Sequence, residues 1–318
     1  FAVFEVDENS LAVILKYITP NAVICLNLFR DQLDRYGEVD TVAEKWQKAL
    51  NGLPKSSTVF LNADDPQIAY LGRNLSARTV YFGINENKNN LSRLEHAADS
   101  IFCLACRHRL HFDRIYYSHI GIWRCLNCGL KRPDPDFSES LTVLPGFYNK
   151  YNTLAAISLA SELHISKDKV KNALLNFSPA FGRQEEFIRQ GKKIKIFLSK
   201  NPAGFNESLK AVITRKAKNL LLVLNDRIPD GHDVSWIWDV DFENLTKNLN
   251  LTLSGDRCFD LGLRLKYADL TGFCVEENLE TAFYKSLKGV RKSEILYILP
   301  TYSAMLDIRK ILTGKKIL

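Results

Sequence analysis

Two Cys-x2-Cys pairs, Cys103/Cys106 and Cys125/Cys128, stand 18 residues apart in the segment "CLACRHRLHFDRIYYSHIGIWRCLNCGL". This spacing constrains the fold strongly, because each turn directs two thiols toward one point and tetrahedral zinc takes four thiolates at about 2.3 Å. Gly129, directly after the last cysteine, suits a tight knuckle turn, since glycine adopts a positive φ without steric cost. Four protein ligands leave no open position for water, so the site is expected to be structural and not catalytic. A redox dithiol pair and cysteines that merely fill a core are the competing readings. His108, His111 and His119 lie between the pairs and are expected to be surface or hydrogen-bonding residues rather than ligands. Cys25, Cys258 and Cys274 lie singly in apolar segments, a pattern unlike a disulfide framework.

The chain around the cysteines alternates strand-like and helix-like runs: "FAVFEV", "ENSLAVILKYI", "AVICLN", "VDTVAEKWQKAL", "STVFLN" and "ARTVYFG". That is the βαβα order of a mostly parallel sheet. Cysteine, histidine, arginine and aromatics crowd together over about residues 100–137, which reads as an insertion. Helical periodicity returns in "YNTLAAISLASEL" and "SKDKVKNALLNF", and "SPAFGRQEE" reads as a connector. A second open α/β series follows, through "KIKIFLS", "FNESLKAVITRKA", "NLLLVLN", "LNLTLSG", "DRCFDLGLRLKYA", "ILYILP" and "YSAMLDIRKILT". The expected domains are 1–185, carrying the insertion, and 186–318.

With 46% hydrophobic residues over 318 positions the chain can bury substantial cores. It holds no run of about 18 apolar residues and no signal-peptide pattern, so a cytoplasmic location is expected. The net charge of +7 raises nucleic acid, an anionic membrane face or a phosphorylated substrate as partners, yet acidic residues are interspersed throughout, as on a solvated surface. No G-x-x-x-x-G-K-[ST] loop occurs. The chain opens on Phe1 in an apolar run read as a buried strand. In "FEVDE", Glu5 would sit at that strand's carboxyl end, where open sheets bind ligands and magnesium finds carboxylates. No G-x-C-x-G nucleophile elbow is visible.

The motifs "LNLFRDQLDRYGE" (26–38), "LNADDP" (61–66), "LPGFYNKYNTLAA" (144–156) and "FGRQE" (181–185) follow in the order seen in Mur ligases, which this chain resembles. With the four-cysteine insertion, "KNPAGFN", "DVSWIWDVDFE", "SGDRCFDLGLRLKYADL" and "LPTYSAMLDIRK" narrow the resemblance to the MurT family, the ligase-like subunits of lipid II isoglutaminyl synthase. It covers essentially the whole chain. It implies a Mur ligase-like central ATP-binding domain with an inserted zinc ribbon, followed by a Rossmann-like C-terminal α/β domain. By the resemblance Glu5 is a catalytic magnesium ligand, Asn149 and Asn152 line the adenine pocket, and Arg183 reaches the nucleotide phosphates. Asn27, Asp31 and Asp34 would organise metal or substrate. Gln32 stands where ordinary Mur ligases carry histidine, which puts direct metal binding there in question. The family places its phosphate loop ahead of the strand that opens this sequence, so a missing N-terminal segment is expected.

The reaction implied is ATP-dependent amidation of the α-carboxyl of D-glutamate in the lipid II stem peptide, with Zn²⁺, ATP and Mg²⁺ as cofactors. Ammonia would come from a separate GatD-type glutaminase. In the family an aspartate of the C-terminal domain is implied to orient the glutaminase histidine, and Asp230 and Asp233 are both candidates. Trp236 and Trp238 read either as a partner-facing surface or as core. A nucleic-acid-binding zinc ribbon, motivated by "CRHRLHFDR", and a noncatalytic scaffold for a glutaminase are the alternative functions.

Overall fold

A computed structural model of the chain describes residues 2–31, 38–86, 90–139, 146–177, 183–246 and 248–315. They fall into two compact units that divide between Phe177 and Ser178, with Asp31 grouping with the second.

In the first unit β1 (Ala22–Cys25), β2 (Thr58–Asn62) and β3 (Arg78–Phe82) form a parallel sheet in that order. β2 is buried along its whole length, and its middle residues Val59, Phe60 and Leu61 are consecutive apolar side chains and not alternating ones. Its Val59 and Leu61 face α2 (Val39–Leu50), whose Val39, Val42, Ala43, Trp46 and Leu50 recur at helical spacing. Phe60 points the other way, into a cluster with Val80, Phe82 and, from α4 (Phe147–Glu162), Tyr151, Leu154 and Ala155. Directly after β2, α3 (Pro66–Leu71) starts where Asp65 caps the amides of Gln67 and Ile68 and Pro66 takes the first turn.

The opening of the chain departs from expectation. Residues 2–7 form no strand, and Val3 and Phe4 are 88% and 65% exposed. An apolar run becomes a strand only when a neighbouring edge takes up its backbone donors and acceptors, and no described strand pairs with this segment. Likewise "ENSLAVILKYI" yields only the four-residue α1 (Leu11–Ile14), with no fully buried residue.

The insertion carries an antiparallel hairpin, β4 (His111–Tyr117) with β5 (Ile120–Arg124). Its own core is small: Leu110, Trp123, Cys103 and Cys125 pack with Ala69 of α3. Past α4, α5 (Lys167–Leu175) ends the unit with none of its residues fully buried.

The second unit holds one six-stranded sheet. The boundary expected at 185/186 falls inside its first strand, β6 (Arg183–Arg189), which pairs antiparallel with β7 (Lys192–Phe197). The other strands, β8 (Asn219–Val223), β9 (Asn250–Ser254), β10 (Cys274–Val275) and β11 (Ile295–Pro300), are parallel to their neighbours, in the order β10-β9-β8-β11-β7-β6. Leu220 and Leu222 of β8 face α6 (Pro202–Thr214) and α7 (Cys258–Tyr267), while Leu221 and Val223 face α8 (Leu279–Gly289) and α9 (Tyr302–Thr313). The sheet has helices on both faces, but its order is not the 3-2-1-4-5-6 of the dinucleotide fold. Its order reverses between β8 and β11, where open sheets of this kind admit ligands. Here that place is filled by buried polar side chains of the protein. Thr301 Oγ1 accepts from the Asn225 amide at 3.0 Å, and Asn225 Nδ2 donates to Ser303 Oγ at 3.0 Å.

Candidate functional site

The two cysteine turns fold alike. The Cys103 amide donates to His108 O at 2.8 Å and the Arg107 amide to Cys103 O at 2.8 Å. Twenty-two positions later, Cys125 donates to Leu130 O at 2.7 Å and Gly129 to Cys125 O at 3.1 Å. The residue after each second cysteine takes a positive φ, 61° at Arg107 and 75° at Gly129. Only the glycine advertised the turn in the sequence. Sγ of Cys103 lies 3.5 Å from that of Cys128, and Sγ of Cys106 lies 3.4 Å from that of Cys125. All four lie within 4.8 Å of one another. Bonds of about 2.3 Å to one tetrahedral ion separate sulphurs by about 3.8 Å, so the set fits a metal. The thiols differ: a hydrogen bond from the His108 amide pulls Cys106 down to about 5, while burial pushes Cys103 up to about 12. His108 Nδ1 lies 3.2 Å from Cys106 O, and His111 is exposed beside Asp113.

The motif "LNADDP" joins this insertion to the sheet. Ala63 O accepts from Trp123 Nε1 at 3.1 Å, and Asp64 O accepts from the Gly121 amide at 2.9 Å. The Asp64 carboxylate, fully buried, takes Arg132 Nε at 2.5 Å, the Ile84 amide at 2.8 Å and the Tyr151 hydroxyl at 2.6 Å. Burial pushes this carboxyl up, and Arg132 with the two hydrogen bonds works against that. Neighbouring Asp65 caps α3 with Oδ1 and takes the Leu28 amide on Oδ2 at 2.9 Å. Arg132, Trp123, Tyr151 and His119 were not foreseen as part of this junction. Their signal was the two adjacent aspartates at a strand end, which need buried donors from elsewhere in the chain.

The nominated site residues distribute as follows. Asn27 lies in the segment after β1, half-buried, and its Oδ1 accepts from Asn62 Nδ2 at 3.0 Å. Asn149 and Asn152 sit one turn apart on α4, with Asn152 Nδ2 donating to Asn149 Oδ1 at 3.3 Å. Phe29 beside Asn27 packs on Tyr117 (ring centroids 5.8 Å apart), and Tyr117 packs on Phe147 (6.5 Å) and Tyr151 (5.9 Å) of α4. One aromatic cluster thus carries both asparagine-bearing segments. Glu5 is not brought to a strand end. It is exposed in the unpaired opening segment and belongs to no cluster of metal-type ligands among the described residues. Arg183 begins β6, but its side chain, Gln32 and Asp34 lie outside the described residues. Asp31 pairs with Lys200 at 2.6 Å.

Asp230 and Asp233 part company. Asp230 is buried, and its carboxylate accepts from the amide (2.8 Å) and hydroxyl of Ser303 in the first turn of α9. Asp233 is half-buried and accepts from the Ser235 amide at 2.8 Å. It lines a cleft of about 300 Å³ with His232, Trp238, Arg257, Asp260 and Leu263. Trp236 packs against Phe205, whereas Trp238 is 44% exposed and meets Tyr267 edge to face at 5.3 Å. Phe259, Leu263 and Tyr267, spaced by four on α7, are all exposed beside it.

Two α/β units in this order, the first bearing the strand-end motif "LNADDP" and the asparagine helix, define a Mur-type ligase, and the Mur ligase middle domain model matches residues 1–160. The MurT ligase C-terminal model matches residues 198–305. The lipid II isoglutaminyl synthase (glutamine-hydrolyzing) subunit MurT of Streptococcus pneumoniae is 32% identical, over 99% of this chain and 75% of its own length. The Staphylococcus aureus subunit of that name is 33% identical, over 90% of this chain and 69% of its own. The chain belongs to the MurT family. In fold it matches a pseudomurein peptide ligase type C from Methanothermus fervidus, with a TM-score of 0.70 at 23% identity over 93% of this chain. It spans 64% of the length of that solved chain. Among the described residues no helix is long and apolar enough to cross a membrane.

Proposed function

We propose that this protein is the ATP-dependent half of an amidating ligase that converts the α-carboxyl of D-glutamate in the lipid II stem peptide to the amide, with ammonia delivered by a glutaminase subunit of the GatD type. The observation that carries this reading is the likeness to subunits of that name along 90–99% of the chain, across both units. A carboxylate resists amines because its charge repels them and its oxygen leaves poorly. Phosphorylation by ATP answers both, and ammonia then displaces phosphate from the acyl phosphate.

In this reading Asn149 and Asn152 hold the adenine, Arg183 draws the phosphates with a charged fork, and Asn27 orders the segment beside them. Glu5 offers one carboxylate to magnesium, which commonly takes one or two carboxylates together with substrate phosphates. The four cysteines hold a structural zinc. The protein acts in the cytoplasm, where the stem peptide is exposed at the membrane's inner face.

Of the two candidate aspartates, Asp233 is the one whose geometry suits a partner's histidine. Its carboxylate borders an open cleft beside the apolar stripe of α7 and Trp238, a surface suited to an interface. Asp230 is committed to Ser303. Asp233→Asn is therefore expected to lower glutamine hydrolysis by the complex at least tenfold, with unchanged amidation from ammonium chloride. Asp230→Ala is expected instead to cost about 1–2 kcal/mol of stability through loss of the cap on α9. Equal glutamine hydrolysis in wild type and Asp233→Asn would remove the assignment. The reading as a whole is tested with the full-length protein, ATP and a muropeptide acceptor. Ammonium chloride should suffice without the partner, and glutamine only with it.

A further inference from the structure

We infer that Asp99, at the start of the insertion, is a positioning residue for the segment 26–31, so that the metal-bearing insertion sets the geometry of the ligase site as well as its stability. This rests on the function proposed above. Three consecutive anchors hold that segment: Asn27 on Asn62, the Leu28 amide on Asp65, and Arg30 on Asp99. The first two partners belong to the "LNADDP" strand end, the third to the insertion. Asp99 grips twice, with Oδ2 accepting from the Arg30 amide at 3.0 Å and Oδ1 from Arg30 Nε at 2.6 Å, and only 8% of its side chain is exposed.

Asp99 is itself fixed from the hairpin tip. Its amide donates to Nδ1 of His119 at 3.1 Å. A ring nitrogen that accepts leaves the neutral imidazole's proton on the other one. That nitrogen, Nε2, is wholly buried without a hydrogen-bond partner and faces Oδ2 of Asp65 at 3.6 Å, the same oxygen that holds Leu28. The ring also carries Phe29, with centroids 4.9 Å apart. His119 thus stands between the two carboxylates that grip residues 28 and 30, and under the ring of the residue between them. A ribbon that served only to brace the lobe would not need a charged side chain on the main chain of Arg30, three residues beyond Asn27.

The test uses the full-length protein with ATP, muropeptide and ammonium chloride, comparing Asp99→Ala and Asp99→Asn with Asp113→Ala, an exposed change on the hairpin of the same insertion. Outer partners of site residues typically matter by about tenfold to a hundredfold. A fall in kcat of that size is expected in Asp99→Ala, with partial rescue in the isosteric Asp99→Asn and none lost in Asp113→Ala. The KM for ammonia and the zinc content should stay at wild-type values, and amide exchange at residues 28–30 should quicken. Should Asp99→Ala fail to fold, Asp99→Asn carries the comparison. Wild-type kcat together with wild-type exchange at 28–30 in a folded Asp99 variant overturns the inference. If the wild-type protein amidates nothing, the proposed function fails, and exchange at 28–30 alone decides whether Asp99 holds the segment.

Discussion

Replacing Cys125 by serine in the full-length protein is expected to abolish stoichiometric zinc and unfold the insertion. The physical reason is the size of the core there: two of its few buried side chains are Cys103 and Cys125 themselves, two of the four proposed zinc ligands. A segment this small needs a staple. In isolated zinc-finger peptides a structural zinc contributes about 10–16 kcal/mol of apparent binding energy at neutral pH. The part felt by the whole lobe is smaller, because Trp123, Gly121 and Arg132 also tie the insertion to the strand end. A loss of about 3–5 kcal/mol is expected, the range seen when a buried ionic link is broken. At about 2–4 °C per kcal/mol for a unit of this size, that is a fall in Tm of about 10 °C. Because thiolates and not thiols bind, zinc should also be released as the pH falls. Metal analysis and thermal melting check both points, and a protein purified without zinc that keeps its hairpin and its Tm would contradict them.

Asp64→Ala is expected to be nearly as damaging, without touching the four cysteines. It strands the Arg132 guanidinium, 7% exposed, and leaves the buried Tyr151 hydroxyl and Ile84 amide without their acceptor. Removing one partner of a buried pair costs about 3–5 kcal/mol, whereas an exposed pair such as Arg124 with Asp113 is worth about 1 kcal/mol or less. The double replacement Asp64→Leu with Arg132→Met should cost less than Asp64→Ala, since no charge is then left unpaired. Chemical denaturation of the wild type, Asp64→Ala and the double replacement gives the comparison. A double mutant less stable than Asp64→Ala would show that the damage is loss of packing and not a stranded charge.

Periodicity revealed the elements that bury a continuous face. "VDTVAEKWQKAL" is the helix Val39–Leu50, and "STVFLN" contains the strand Thr58–Asn62. Pattern failed where pairing partners decide the outcome. "FAVFEV" is as apolar as β2 yet finds no described strand to pair with, while the polar "RQEEFIR" becomes β6 because β7 offers it an open edge. Cysteine spacing pointed to four convergent sulphurs, since each short turn fixes two of them locally. The junction of Asp64, Arg132, Tyr151 and Trp123 was not legible, because it joins residues up to 87 positions apart that no local rule connects. Local sequence could not show how Asp230 and Asp233 differ in surroundings either: Asp230 is buried and takes the Ser303 hydrogen bonds, while Asp233 is half-buried beside an open cleft.

The central claim is that this protein makes an inert carboxylate reactive by passing it a phosphoryl group. It is tested most directly with a muropeptide whose D-glutamate α-carboxyl is labelled with oxygen-18. Incubated with the full-length protein, its glutaminase partner, ATP and glutamine, the substrate should become the amide while an atom of the label appears in the released phosphate. Amide formed with no label in phosphate, or no amide at all, would contradict the account.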